Sequence, residues 1–132
     1  MSQETVAVVR RLYEAWAREE FVGSPDLLDP DIEYVNPAGA IEPGTRRGLP
    51  AFTAAVEKLF EGWAAWRMEP EQFHDVEDQV AVVVRYQATA RASGLEVEGR
   101  ESALLTVRDG RIVRYEWFHG PGDALQAMGL AE

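Results

Sequence analysis

The order of periodicities along the chain predicts an α+β protein, with helices gathered against one face of a strongly curved antiparallel sheet. Three observations carry that prediction. Apolar residues recur with helical spacing in two segments, 4–20 and 50–66. Four β-rich segments then follow, joined by connections short enough for antiparallel hairpins. No linker, repeat or shift of composition divides the 132 residues, so one domain over 1–132 is expected.

In the first segment Val6, Val9, Tyr13, Trp16 and Ala17 share one helical face, Ser2 is placed to cap the helix, and Glu4 lies near its positive end. The stretch "GSPDLLDPD" (23–31) predicts a helix of one to two turns, because Ser24 can cap it, Pro25 fits a first turn and Pro30 stops it. In "DIEYVN" (31–36), Ile32, Tyr34 and Asn36 alternate onto one face of a short strand that Pro37 ends. The segment "PAGAIEPGTRRG" (37–48) has two prolines, three glycines and no period, and reads as a loop able to act as a lid. From Pro50 to Trp66 the apolar residues Phe52, Val56, Leu59, Phe60 and Trp63 predict a long helix. The strands that follow are "RMEPEQFHDV", "QVAVVVRYQATAR", "EVEGRESALLTV" and "RIVRYEWFH", separated by "ED", "ASGL" and "DG". In the tail, Asp123 is placed to cap a short apolar helix and Gly129 to stop it.

Charge and composition narrow the function classes. With 23 acidic against 13 basic side chains the formal charge is −10, which repels a phosphate backbone and makes nucleic acid an unfavourable partner. The chain has no cysteine, and the two histidines, His74 and His119, have no ligand spacing, so no metal site and no cofactor is expected. "EPGTRRG" lacks the spacing of a phosphate loop. The N-terminal stretch is amphipathic, and no segment approaches the roughly 20 apolar residues of a membrane span, so a cytoplasmic location is the default expectation. Glu69 with Glu71, and Glu96 with Glu98, share strand phases that read as a solvated sheet face.

The last hairpin locates a candidate site. If Asp109 and Gly110 form a type I′ turn, Arg108 pairs with Arg111, and uninterrupted pairing sets Val113, Tyr115, Trp117 and His119 on one face with Thr106, Leu104, Ser102 and Arg100. Glu101, Ala103 and Leu105 then fall on the other face with Arg114, Glu116 and Phe118. The aromatic face is expected to turn toward the helices. In the same way His74 pairs with Ala81 on the outer face, away from Phe73.

On these elements, "LYEAW" in the first helix, "LLDPDIEYVNPAG" into the first strand, "VRDGRIVRYEWF" in the late hairpin and "DALQAMGL" at the end, the chain resembles the NTF2-like superfamily, in its SnoaL-like branch. The resemblance covers nearly the whole chain. It implies a cone in which a bent sheet and its helices enclose one deep apolar pocket, and a homodimer formed through the outer sheet face. The superfamily includes polyketide cyclases, ketosteroid isomerases, epoxide hydrolases, dehydratases and non-catalytic binding domains, so the fold does not fix the activity. Carried over residue by residue, the isomerase's base position falls on Asn36, and its second acid falls near Ser102 or Leu104. The cyclase-type acid on the last strand falls on Trp117. The Arg and Asp that the epoxide hydrolases carry on the middle strand fall on Val84 and Tyr86, whereas their water-holding Tyr and Asn match Tyr34 and Asn36. The acids of the family's known catalysts are thus missing at these positions.

His119, with a pKa naturally near neutrality, is the expected acid/base group, helped by Tyr34 and Asn36. Tyr13, Trp16, Phe52, Phe60, Trp63, Tyr86, Arg100, Tyr115 and Trp117 are the expected substrate-binding residues, mostly as aromatic wall. The expected ligand is a small, mostly apolar, polyketide- or terpenoid-like molecule. Cyclisation, isomerisation or dehydration without a cofactor stands beside two alternatives: binding without turnover, and a protein-interaction role.

Overall fold

The computed structural model of the chain describes residues 2–18, 26–40 and 43–129, apart from the side chains of Ser2 and Leu59. Its elements run α1 (Ser2–Ala17), β1 (Leu28–Asn36), β2 (Gly44–Arg47), α2 (Leu49–Glu61), β3 (Trp63–Val76), β4 (Gln79–Ala90), β5 (Glu96–Arg108), β6 (Arg111–Phe118) and α3 (Asp123–Ala127). The architecture is α+β, as the sequence predicts. The strands form one sheet in the order β2-β1-β6-β5-β4-β3, antiparallel throughout except where β1 runs parallel to β6. α1 and α2 close its inner face over a core that includes Leu12, Ile32, Phe52, Val82, Leu105 and Ile112. Among the described residues no helix is long and apolar enough to cross a membrane.

Four local expectations are corrected, besides the cap of α3. Ser24 and Pro25 lie outside the described residues, but Asp26 and Leu27 form a turn and β1 begins at Leu28, so Pro30 sits within the strand. The parallel register with β6 breaks between Leu28 and Glu33, where a proline without an N–H is tolerated and the Asp31 N–H bonds instead to Asp29 Oδ1 at 2.8 Å. The expected loop 37–48 contains a four-residue edge strand, β2, whose Arg46 pairs with Tyr34 and whose Arg47 forms an ion pair with Glu33. A short, charged strand of this kind protects a sheet edge against further pairing. The second long helix ends at Glu61 with Gly62 as its C-cap, so Trp63 and Trp66 belong to β3. The Arg91 guanidinium fixes this corner by donating to the carbonyls of Glu61 (3.1 Å) and Trp63 (2.8 Å).

The fourth correction concerns the last hairpin. Asp109 (φ 53°) and Gly110 (φ 76°) both adopt positive φ, as a type I′ turn requires, and Arg108 pairs with Arg111. After Val107 and Ile112 the register slips, and Thr106 pairs with Arg114, leaving Val113 as an extra residue in β6. Leu105 therefore lies opposite Tyr115, and Ala103 opposite Trp117. Tyr115 and Trp117 still face the helices, but their companions on β5 are Glu101, Ala103, Leu105 and Val107. Ser102, Leu104 and Arg100 face outward.

On that outer side His74 pairs with Ala81, as expected, and α3 packs on Ala81 and Leu104 through Ala124. Fully buried Ser102 pins α3 in place: its Oγ donates to the Gly120 carbonyl (2.6 Å) and accepts from the Ala124 N–H (3.1 Å). Asp123 is the first residue of α3 rather than its cap, and its carboxylate accepts the Gly120 N–H at 3.2 Å. The slipped register makes a measurable distinction. Leu105→Ala is expected to cost about 3 kcal/mol in urea unfolding, the range for an emptied core site. Arg100→Ala should stay within about 0.5 kcal/mol, as exposed positions do. Equal effects would contradict the inward placement of Leu105.

Candidate functional site

Inside the cone lies a cavity of about 50 Å³, walled by Trp16 of α1, Tyr34 of β1, Val56 and Phe60 of α2, Trp66 and Met68 of β3, Glu101 of β5, and Tyr115 and Trp117 of β6. Larger concavities exist, such as one of about 570 Å³ between α1 and β3, but that one is an open surface groove bordered by charged side chains including Arg10, Glu14 and Asp75. The candidate residues converge on the small inner cavity.

Among the described residues its one ionisable carboxyl belongs to Glu101. Burial raises the pKa of that group from the usual carboxylate value of 4.5 to about 7, because an ion in this apolar setting loses its hydration. Among the described residues no basic side chain pairs with it. Three tyrosines feel its charge. Tyr34 is pushed up to about 12 by burial and then by Glu101, and Tyr13 and Tyr115 are also raised, burial again being the first cause. All three hydroxyls therefore stay protonated at neutral pH and act as donors. Tyr13 and Tyr115 bond hydroxyl to hydroxyl at 3.1 Å, joining α1 to β6. Since that pair shares one of its two protons, the other remains available to donate.

The aromatic wall is built in layers. Tyr34 meets Phe52 edge-on (centroids 5.0 Å apart) and lies 5.8 Å from Tyr115, while Trp16 contacts both Tyr13 (5.5 Å) and Tyr115 (5.6 Å). Phe60 stands edge-on to Trp66 at 5.2 Å, and Trp63 tilts against Trp66 from outside at 5.4 Å. Tyr86 stacks parallel to Trp66, 6.0 Å away with 5° between the planes. It can lie there because Gly99, its partner on β5, has no side chain: a Cβ at Gly99 would come within 2.8 Å of the Tyr86 hydroxyl. At the other end the Trp117 indole N–H donates to Asn36 Oδ1 at 2.5 Å.

Of the residues expected from sequence, Trp16, Tyr34, Phe60, Tyr115 and Trp117 line the cavity, and Tyr13 reaches it through its hydroxyl pair. Phe52, Trp63 and Tyr86 form the layer behind, and Asn36 anchors Trp117. One placement is corrected, that of Arg100. Arg100 is exposed on the outer face, where its Nε donates to Glu71 at 2.7 Å, because the Val113 bulge moves it out of phase with β6. His119 lies past the end of β6 and is exposed, its ring edge-on to Trp117 at 5.1 Å and against Gly39, so it borders the cavity's Trp117 wall from outside. The residue missed is Glu101. A signal for it was present in β5 itself: Ala103, Leu105 and Val107 occupy one phase of the strand, and Glu101 continues that phase.

Among the described residues no group of three or more acidic or histidine side chains could hold a metal ion. Comparison with known proteins places the chain. The family model described as a SnoaL-like domain matches residues 9–115. This chain belongs to that family. An uncharacterized protein of Mycobacterium tuberculosis is 27% identical over 124 residues, covering 92% of each chain. An NTF2-like protein of unknown function from Burkholderia pseudomallei has a TM-score of 0.80 at 23% identity, covering 96% of this chain and 97% of that one. TerC, in a crystal structure with polyporic acid, has a TM-score of 0.76 at 19% identity, covering 96% and 97%. These likenesses establish the NTF2-like cone.

The raised pKa of Glu101 has a stability consequence. The folded state favours the protonated acid, so holding the ion in place is unfavourable, and stability is lost as pH rises from about 4.5 through about 7. Glu101→Gln should therefore leave stability nearly unchanged at pH 4 and raise it at pH 8 by on the order of 2–3 kcal/mol. Parallel urea titrations at the two pH values check this. A difference between the proteins that does not depend on pH would contradict it.

Proposed function

We propose that this protein binds a small, largely apolar, oxygenated molecule in the inner cavity and moves a proton on it without a cofactor, with Glu101 as the acid/base group. The observation that carries this reading is a carboxyl facing an aromatic cavity with a pKa of about 7, the range in which a proton is both taken and returned efficiently. Ionised Glu101 takes a proton from the carbon next to a ligand carbonyl. The neutral Tyr34 hydroxyl donates to the oxygen on which charge develops, and protonated Glu101 then returns the proton to the same or another carbon. Isomerisation and the proton steps of cyclisation or dehydration all follow from that exchange. Membership of the SnoaL-like family supports a ligand pocket, and the crystal structure of TerC with polyporic acid shows a similar cone associated with a small molecule. At about 50 Å³ the cavity is far below the roughly 300 Å³ typical of ligand sites, so binding requires the surrounding rings to part.

A second reading, ligand binding without turnover, draws support from Asn36: its side-chain oxygen is engaged by Trp117 rather than free to hold a reacting water. The homodimer implied by the family resemblance belongs to the same proposal, with the outer sheet face as its interface, and light scattering of the purified chain tests it.

Deuterium exchange tests the enzymatic reading directly. With 2-tetralone in D₂O, followed by proton NMR, the wild-type protein should accelerate exchange beside the carbonyl, and Glu101→Gln should lower that rate at least about 100-fold, the usual contribution of a positioned acid/base group. His119→Gln should retain most of it. Loss in His119→Gln with retention in Glu101→Gln would transfer the role to the histidine, and binding with no exchange in the wild type would support the second reading.

A further inference from the structure

Two tryptophans of the cavity wall carry an indole N–H that meets no acceptor among the described residues. The indole nitrogens of Trp16 and Trp66 are buried, and among the described residues neither finds a hydrogen-bond partner. Both side chains line the cavity, from opposite elements, α1 and β3. Buried polar groups are almost always satisfied, and an orphaned N–H in an apolar setting is costly, so two at one cavity call for an explanation there. The wall contrasts them with Trp117, an indole of the same type whose N–H has acceptors at Asn36 and Tyr34. An indole N–H donates and never accepts.

We propose that the Trp16 and Trp66 N–H groups are the ligand-orienting donors of this site, each completed by an acceptor oxygen of the bound molecule, so that the site selects carbonyl-type ligands over hydrocarbons of the same shape and over cations. The proposal rests on the ligand-binding reading above and adds to it the groups that recognise the ligand. The other polar groups of the wall are mostly donors: Tyr34 and the spare proton of the Tyr13–Tyr115 pair donate, and Glu101 is the one acceptor among the described lining side chains that are not hydroxyls. The rival occupant is an organic cation, since Trp16, Trp66, Trp117, Tyr34 and Tyr115 surround Glu101 as rings surround an ammonium in aromatic cages. A quaternary ammonium offers no acceptor, however, and would leave both indole donors as they are. The donors decide in favour of oxygen.

The test uses the full chain and three probes: acetophenone and ethylbenzene, which are of similar bulk, and the smaller tetramethylammonium as its chloride. By calorimetric titration the wild type should bind acetophenone about tenfold more tightly than ethylbenzene, the order expected for hydrogen bonds to otherwise orphaned donors. Trp16→Phe and Trp66→Phe should each reduce that preference several-fold, with ethylbenzene reporting any change of cavity volume alone. Independently of any variant, the two indole N–H resonances of the ¹⁵N-labelled wild type should move downfield with acetophenone and not with ethylbenzene. Equal affinity for the two neutral probes, failure of acetophenone to bind, unmoved indole resonances, or tighter binding of tetramethylammonium would each overturn the proposal. Glu101→Gln separates it from the proton-transfer reading: a retained ketone preference without deuterium exchange supports the donors while the catalytic assignment fails.

Discussion

The inner chemistry of this protein depends on one extra residue in β6. Because Val113 is accommodated without a partner, every side chain of β6 beyond it is shifted by one position against β5. Tyr115 and Trp117 then share a face with Leu105, Ala103 and Glu101, instead of with polar Thr106, Ser102 and Arg100. Without the slip Tyr115 would have faced the helices beside Leu104, and Trp117 beside Ser102. With it, β5 turns its apolar phase inward, and the only price is a single acid placed among aromatic rings.

That acid organises the electrostatics of the interior. A carboxyl removed from water, with no basic partner among the described residues, resists ionisation, and burial, reinforced by the Glu101 charge, keeps the nearby tyrosine hydroxyls protonated. The Tyr13–Tyr115 bond gives this polar group a rigid floor by tying the first helix to the last strand. The result is an interior that is aromatic by area and donor-rich in its few polar atoms, a combination suited to holding and polarising an oxygen.

Much of the architecture was legible in the residues. The 3.6-residue pattern of Val9, Tyr13 and Trp16 marks α1, Asp-Gly at 109–110 marks the hairpin, and the phase of Ile32, Tyr34 and Asn36 gives the inner face of β1. Boundaries were harder where two patterns coincide. Phe60, Trp63 and Trp66 are spaced as a helix would space them, yet the chain changes to a strand at Gly62, and packing of the two tryptophans over the sheet decides the matter. The site was only half legible. The aromatic wall follows from periodicity, but the acid depended on a bulge, which is a matter of backbone pairing that no residue type in "RIVRY" announces. A strand-by-strand reading of polarity in β5 points to Glu101 even when the hairpin register misleads.

The stacked pair of Tyr86 and Trp66 shows where the dimensions of the interior are controlled. Gly99 contributes nothing to the cavity surface, yet its missing side chain sets how closely Tyr86 can lie behind Trp66 and thus how far the indole is pressed inward. The chamber's breadth is accordingly governed from its backing layer, so relatives could admit bulkier or slimmer guests by exchanging residues that never touch them, with the polar recognition groups left undisturbed.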